Sequence, residues 1–572
     1  MTYFLKALKV FQTNERYKAG LILIFSIFAA ILEMIGITLA IPILTILLEG
    51  NLNLSLLRNI NLNLDFLQSI DKEEILFYCL VILVLSFFIK NLFLIIFNFY
   101  NYKVVNSISA RISQNIFDKY LDQNYNFHLN NNSNKLINNC VTVVDAFKDT
   151  LTAIIIIFSE IVILIGIVIL LAIIEPKGFL LSLIFIALLG LVVYFLSNNI
   201  LIMWGKQVLK AHEKRFLFLS QAFGAIREIK IFNKKSFFSK KYFEPNVNKY
   251  RISTLQSTVN LLPKYFMEFI FILTLSVLLV FLKQKGVSNN EIIVIMGLFA
   301  LASLRIMPSL NRILSSYQIF KFGQQPIEDV YNELYQYDFD KSKKQKKVIG
   351  IKESDKKGLI NLNNVYFKYD KSHENTLRDI NLEIKHNEFL GVVGQTGSGK
   401  STLINLILGL LTPSKGEISL KYSKAGFVPQ SPYLIDDSIK HNIALGLSDK
   451  EIDIQLLKKC LKDVQLENFT NSQLNGLDTI VGEKGTRISG GELQRLALAR
   501  ALYIKPDVII LDEPTSSLDE STEKKILDIL KNLSAKMTII LVTHNLDNLR
   551  YCDRVLNIRD NQISSTKSIG EG

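Results

Sequence analysis

The run Gly394-Gln395-Thr396-Gly397-Ser398-Gly399-Lys400-Ser401 lies between two apolar stretches, at 389–393 and 403–411. Strand, glycine loop and helix in that order build a cradle for phosphate. The glycines let backbone N–H groups turn inward on phosphate oxygens, and the helix start adds partial positive charge. Lys400 then reaches the β and γ phosphates, Ser401 offers a hydroxyl to Mg²⁺, and Thr402 completes the turn. At average composition such an octet arises by chance in roughly one or two chains of this length in a hundred. Its company carries the argument further. Ile488-Ser489-Gly490-Gly491-Glu492, Val508-Ile509-Ile510-Leu511-Asp512-Glu513 and Thr543-His544 follow in order. Together they predict hydrolysis of ATP.

These groups need elements to hold them. After residue 358 strands alternate with helices, the pattern of an α/β domain. The apolar strand 508–511 delivers Asp512 to a Mg²⁺ ion through water. Glu513 follows at the strand's carboxyl end, where it can orient and polarise an attacking water. His544, after the apolar strand 538–542, is placed to bridge the γ-phosphate and Glu513. Tyr369 lies 31 residues before Lys400, in reach of an adenine ring; a core tyrosine is the alternative.

The first 320 residues are of another kind. The chain is 49% hydrophobic although 20% of it is charged, and the apolar residues gather in runs near 19–48, 75–97, 151–174, 179–197, 263–282 and 291–315. Each reaches or approaches the roughly 20 residues of a membrane-spanning helix. The first is too long for a cleavable leader. The connection 198–262 carries twelve Lys/Arg against three Asp/Glu, and the connection 49–74 two against five. The positive-inside rule therefore puts the N-terminus, 98–150, 198–262 and everything after the sixth run in the cytoplasm. This accounts for the net charge of +13 through membrane lipids, with no nucleic acid among the partners. Cys79, Cys140, Cys460 and Cys552 show no metal spacing and are expected to be free thiols.

Both long basic connections read as helices continuing below the bilayer and turning back, near 124–129 and 221–226. Their aromatic residues ask for a covering partner surface. Residues 338–358, rich in Lys and Asp, mark a linker. The expected architecture is a multi-domain chain: an all-α transmembrane domain of six helices at 1–337, then an α/β P-loop ATPase domain at 359–572.

These motifs resemble the ATP-binding-cassette family over nearly the whole chain. In that family's terms 394–401 is the Walker A loop, Asp512 and Glu513 the Walker B pair, and Ser489-Gly490-Gly491 the signature. Gln430 matches the Q-loop and joins Ser401 and Asp512 around the metal. Thr479-Ile480-Val481-Gly482-Glu483-Lys484-Gly485 looks like the X-loop of exporters, and Ser516-Ser517-Leu518-Asp519 the D-loop. The resemblance implies the type I exporter fold, catalysis by Glu513, His544 and Gln430, and ATP with Mg²⁺. It also implies a homodimer, in which Ser489–Gly491 of one subunit close on the nucleotide held by Lys400 of the other. The signature departs from the usual pattern at Ile488 and Glu492, for Leu and Gln. The stretch 403–427 is about a dozen residues short, and a trimmed edge is expected in the small β-subdomain.

Arg305 and Arg312 lie seven apart on the sixth helix and share a face, which suits a phosphate or diphosphate group. Arg312 below the bilayer is the alternative. Glu33, Glu160 and Glu268 stand ready to pair with these arginines or to join helices. Arg305-Ile306-Met307-Pro308-Ser309-Leu310-Asn311-Arg312-Ile313 with Glu33-Met34-Ile35-Gly36 resembles exporters that flip lipid-linked oligosaccharides, and the 51–70 loop resembles their outer amphipathic helix. Such a protein would sit in the bacterial inner membrane, with an anionic lipid-linked glycan as cargo. Export of a lipid, drug or peptide is the alternative, and a regulatory ATPase that transports nothing is a third.

Overall fold

The computed structural model describes residues 2–49, 72–174, 199–286, 289–335, 358–370, 372–482, 485, 487–515 and 518–568. The fourth apolar run, the 51–70 loop and nearly all of the linker lie outside them. The described chain divides into two compact units, 1–123 with 130–338, and 124–129 with 339–572.

The first unit is helical. Its long elements are α1 (Thr13–Glu49), α2 (Lys72–Leu121), α3 (Val144–Ile174), α4 (Ile200–Gly224), α5 (Lys235–Gln284) and α6 (Asn289–Phe322). Among the described residues four helices are long and apolar enough to cross a membrane. With 50 residues each, α2 and α5 run about 75 Å. That is more than twice the roughly 30 Å of a bilayer core, so each has tens of ångströms left over. A five-residue π-helix (Asn139–Val143) precedes α3, and the Cys140 carbonyl accepts from Ser113 Oγ at 2.8 Å. The bundle is closely packed where α6 ends: a Cβ on Gly323 would come within 1.8 Å of Thr150 Oγ1. Only glycine fits there.

The turn expected at 221–226 begins there but extends further. Helix α4 runs through Gly224, a short helix Ile226–Ile231 follows, and Asn233 takes a positive φ of 52° before α5 starts. Phe223 is 70% exposed, an apolar side chain without cover in a single chain. The segment 124–129 folds instead with the second unit. Asn126 Nδ2 donates to Asp370 Oδ2 at 2.8 Å, and Asn124 and Asn126 line a cleft with Phe367 and Leu411.

The second unit is α/β. Strands β1 (Ile360–Phe367), β2 (Leu377–Ile384) and β4 (Lys415–Leu420) form an antiparallel sheet in the order β2-β1-β4. The larger sheet adds β3 (Phe389–Gly394), β5 (Ala425–Val428), β6 (Val508–Asp512), β7 (Thr538–Val542), β8 (Arg554–Arg559) and β9 (Gln562–Ser568). Its order is β5-β6-β7-β3-β8-β9, parallel except for β9. Every residue from Val508 to Leu511 and from Ile539 to Val542 is fully buried, which explains why these strands read as continuous apolar runs and not as alternating ones.

Candidate nucleotide site

Four neighbouring strands end along one edge of the large sheet. In the order β5, β6, β7, β3 they deliver Gln430, Asp512 with Glu513, His544 and the glycine loop. Adjacent strands are about 4.8 Å apart, so residues separated by more than a hundred positions become neighbours. The carboxyl edge of a parallel sheet is where such folds bind ligands.

The loop closes on itself around the lysine. Lys400 Nζ donates to the carbonyls of Gly394 at 2.7 Å and Gln395 at 3.0 Å. Gly397 and Gly399 have φ of +85° and +100°, and a Cβ on Gly399 would meet Leu377 at 2.6 Å. Ser398 is 7% exposed and its Oγ finds no partner among the described residues. A buried donor left open inside a glycine cradle is what a phosphate oxygen would satisfy. Ser401 is exposed in the first turn of the helix Lys400–Ile407, next to Thr402, which is buried.

Glu513 is held from several sides. Its backbone takes a positive φ of 50°, with its N–H donating to Val542 O at 2.9 Å. One carboxylate oxygen accepts from Gln430 Nε2 at 2.8 Å, and the other lies 2.9 Å from His544 Nε2. The three residues assigned to catalysis therefore meet. Burial, and then the neighbouring Glu513 charge, push the Asp512 carboxyl above its ordinary range, with Lys400 opposing. The partly buried Asp512 carboxylate is suited to a cation. With the Ser401 hydroxyl and the Gln430 amide it offers the oxygen donors that Mg²⁺ prefers.

Tyr369 shows the packing of a core-edge residue. It is half-buried, packs edge-on against Phe367 with ring centroids 4.9 Å apart, and its hydroxyl lies 3.1 Å from Thr402 Oγ1. The ring is anchored on the phosphate-loop helix with part of its surface free.

The signature stands apart. Ser489 caps the helix α7 (Gly490–Tyr503), accepting from the Glu492 N–H, while the Glu492 carboxylate accepts from Ser489 N and Oγ, each at 2.8 Å. This reciprocal cap gives the unusual Glu492 a structural reason. Ser489 and Gly490 are exposed, and no hydrogen bond among the described residues joins 489–491 to 394–402. Glu483, Lys484, Ser516 and Ser517 of the X- and D-loops lie outside the described residues.

In the helical unit, Arg312 and Glu160 form an ion pair, Nε to Oε1 at 2.6 Å, and Ser309 Oγ also donates to Glu160. The side chain of Arg305 lies outside the described residues. Glu33 pairs at 3.4 Å with Lys90, both nearly buried. Lys90 was not singled out in the sequence, although a lone lysine in the 75–97 run was the available signal. Arg312→Ala should leave the Glu160 carboxylate with Ser309 alone. The expected loss is about 2 kcal/mol, less than for a fully buried pair because the guanidinium is 43% exposed, or roughly 4 °C in melting temperature. Normal melting with impaired transport would instead assign Arg312 to cargo.

The sequence profile of the ABC transporter transmembrane region matches residues 19–305, and the profile described as ABC transporter matches 377–516. The chain is similar to an ATP-dependent lipid A-core flippase of Alkalilimnicola ehrlichii, 37% identical over 222 residues, covering 37% of this chain and 38% of that protein. It is also similar to the multidrug resistance-like ATP-binding protein MdlB of Buchnera aphidicola, 36% identical over 220 residues, covering 36% and 37%. These matches thus span little more than a third of the curated relatives. A solved structure of a bacterial Atm1-family ABC exporter with ATP bound superposes with a TM-score of 0.75 at 18% identity, over 97% of this chain and 95% of that one. The likeness in fold extends over both units, and the membrane profile alone covers half of the sequence: this chain belongs to the ABC transporter family.

Proposed function

We propose that the chain hydrolyses ATP and uses the energy to move an amphiphile across the bacterial inner membrane. The observation that carries this reading is the Glu513 carboxylate, held between Gln430 and His544 beside the phosphate loop. A carboxylate has about four lone-pair positions, so two partners leave room for a water to be oriented against a γ-phosphate. Phosphoryl transfer asks the protein mainly for positioning and charge neutralisation. Lys400 would exchange the loop carbonyls for phosphate oxygens, and Ser398 would gain its missing partner. Ser401, Gln430 and Asp512 would hold Mg²⁺, directly or through water, and the ion would neutralise charge on the phosphates.

The exposed Ser489 and Gly490 support a homodimer, since they head a helix start that no hydrogen bond among the described residues ties to the phosphate loop of the same chain. Exposed Phe223 supports the same reading. Our first reading of the cargo is a lipid-linked oligosaccharide or related glycolipid with a phosphate-bearing head. It draws on Arg305 and on the relatives named as lipid A-core flippases. A less charged lipid or drug is the second reading, favoured by the engagement of Arg312 with Glu160 and by the multidrug-type relatives.

ATPase rates in liposomes, measured across lipid-linked sugars and free amphiphiles, separate these readings. If Arg305 holds a phosphate group, Arg305→Ala should lose about tenfold or more in transport and little in basal hydrolysis. Arg305→Lys should keep part of it, because Lys retains the charge without the two-pronged contact. Flipping of a lipid-linked sugar by Arg305→Ala at the wild-type rate would remove the arginine and favour the second reading.

A further inference from the structure

Gln494 is 3% exposed on α7, and its Nε2 donates to the backbone carbonyl of Glu513 at 3.3 Å. Glu513 has the left-handed backbone that costs every residue except glycine, and such conformations persist only where the surroundings over-determine them. Three parts of the cassette hold this residue, its backbone and its carboxylate: the end of β7, the Gln430 loop and α7. Val542 O takes the N–H, Gln430 and His544 take the carboxylate, and Gln494 takes the carbonyl. The contact from Gln494 has a distinct origin. It comes from the helix headed by the signature serine, Ser489, one and a half turns away.

The same rigid helix thus presents Ser489 to solvent at its start and Gln494 to Glu513 within its own chain. We propose that Gln494 is a positioning residue that sets the catalytic carboxylate according to where α7 sits. Engagement of Ser489 by a nucleotide on the partner subunit would thereby be transmitted to the helix's own hydrolytic site. The inference rests on the ATPase dimer described above. It adds that signature and carboxylate are joined in one chain through one side chain. An element that both sites bias is what coupling between them requires.

The test uses the full chain in liposomes. Gln494→Met keeps the volume and removes the donor. We expect kcat to fall about tenfold, with KM for ATP within twofold and the Hill coefficient for ATP moving toward one. Gln494→His, which retains a donor, should recover part of kcat. Heterodimers then separate this role from a merely structural one. With Gln494→Met and Lys400→Ala on the same chain, both lesions fall in one site and the second stays native. On opposite chains they damage both sites, so the same-chain heterodimer should be several-fold faster. Ser489→Ala combined with Lys400→Ala should give the reverse order. An unchanged kcat, equal rates for the two Gln494 heterodimers, or the Ser489 order for Gln494 would each overturn the inference. Failure of the wild-type chain to hydrolyse ATP would instead overturn the ATPase reading beneath it.

Discussion

Glu513→Gln is expected to abolish turnover, by about a hundredfold or more, while ATP still binds and the dimer is trapped closed. The amide has the same shape and occupies the same place between Gln430 and His544. What it lacks is the charge and the full acceptor capacity that orient and polarise water, and general-base or positioning groups contribute factors of about 10²–10⁴. Binding survives because Lys400, Ser401 and the glycine loop are untouched. The same substitution separates function from folding. The left-handed backbone at Glu513 is set by Val542 and Gln494, whose partners are main-chain atoms, so thermal stability should not change. ATPase rates, nucleotide retention and melting temperature check the three parts. Hydrolysis within tenfold of the wild type would remove Glu513 from the role assigned to it.

The candidate nucleotide site was legible because each of its parts follows a strand whose burial leaves an apolar run in the sequence. Lys400, Asp512, Glu513 and His544 were assigned from such runs, and the order β5-β6-β7-β3 supplies what no run encodes, their adjacency. Tyr369 was readable only as an alternative, because stacking and core packing use the same aromatic face. Gln494 was missed for a different reason. A glutamine inside a helix carries no sign of the carbonyl it meets, which depends on how α7 docks against β5, the strand beside β6. The helical unit divides in the same way. Long apolar runs announce helices, but Glu33 with Lys90 and Glu160 with Arg312 depend on the rotation of one helix against another. Burial without partners is costly enough that each charge was bound to find one. Only the structure says which.

Complementation between two inactive chains is the second large effect expected. Lys400→Ala and Ser489→Ala homodimers should each lose nearly all hydrolysis, since both sites lack either the phosphate-binding lysine or the opposing serine. If the signature of one subunit closes on the nucleotide of the other, a heterodimer with one lesion per chain gathers both in a single site. The remaining site pairs a native Lys400 with a native Ser489. Activity should then return to as much as half of the wild type, from two chains that are silent alone, provided one working site suffices. The physical basis is the exposure of Ser489 and Gly490 at the start of α7, where backbone N–H groups and the helix dipole favour an anion. Cross-linking in the presence of ATP checks the geometry independently of turnover. Monomers alone in the ATP-bound state would exclude the shared site, and each chain would then have to complete its own.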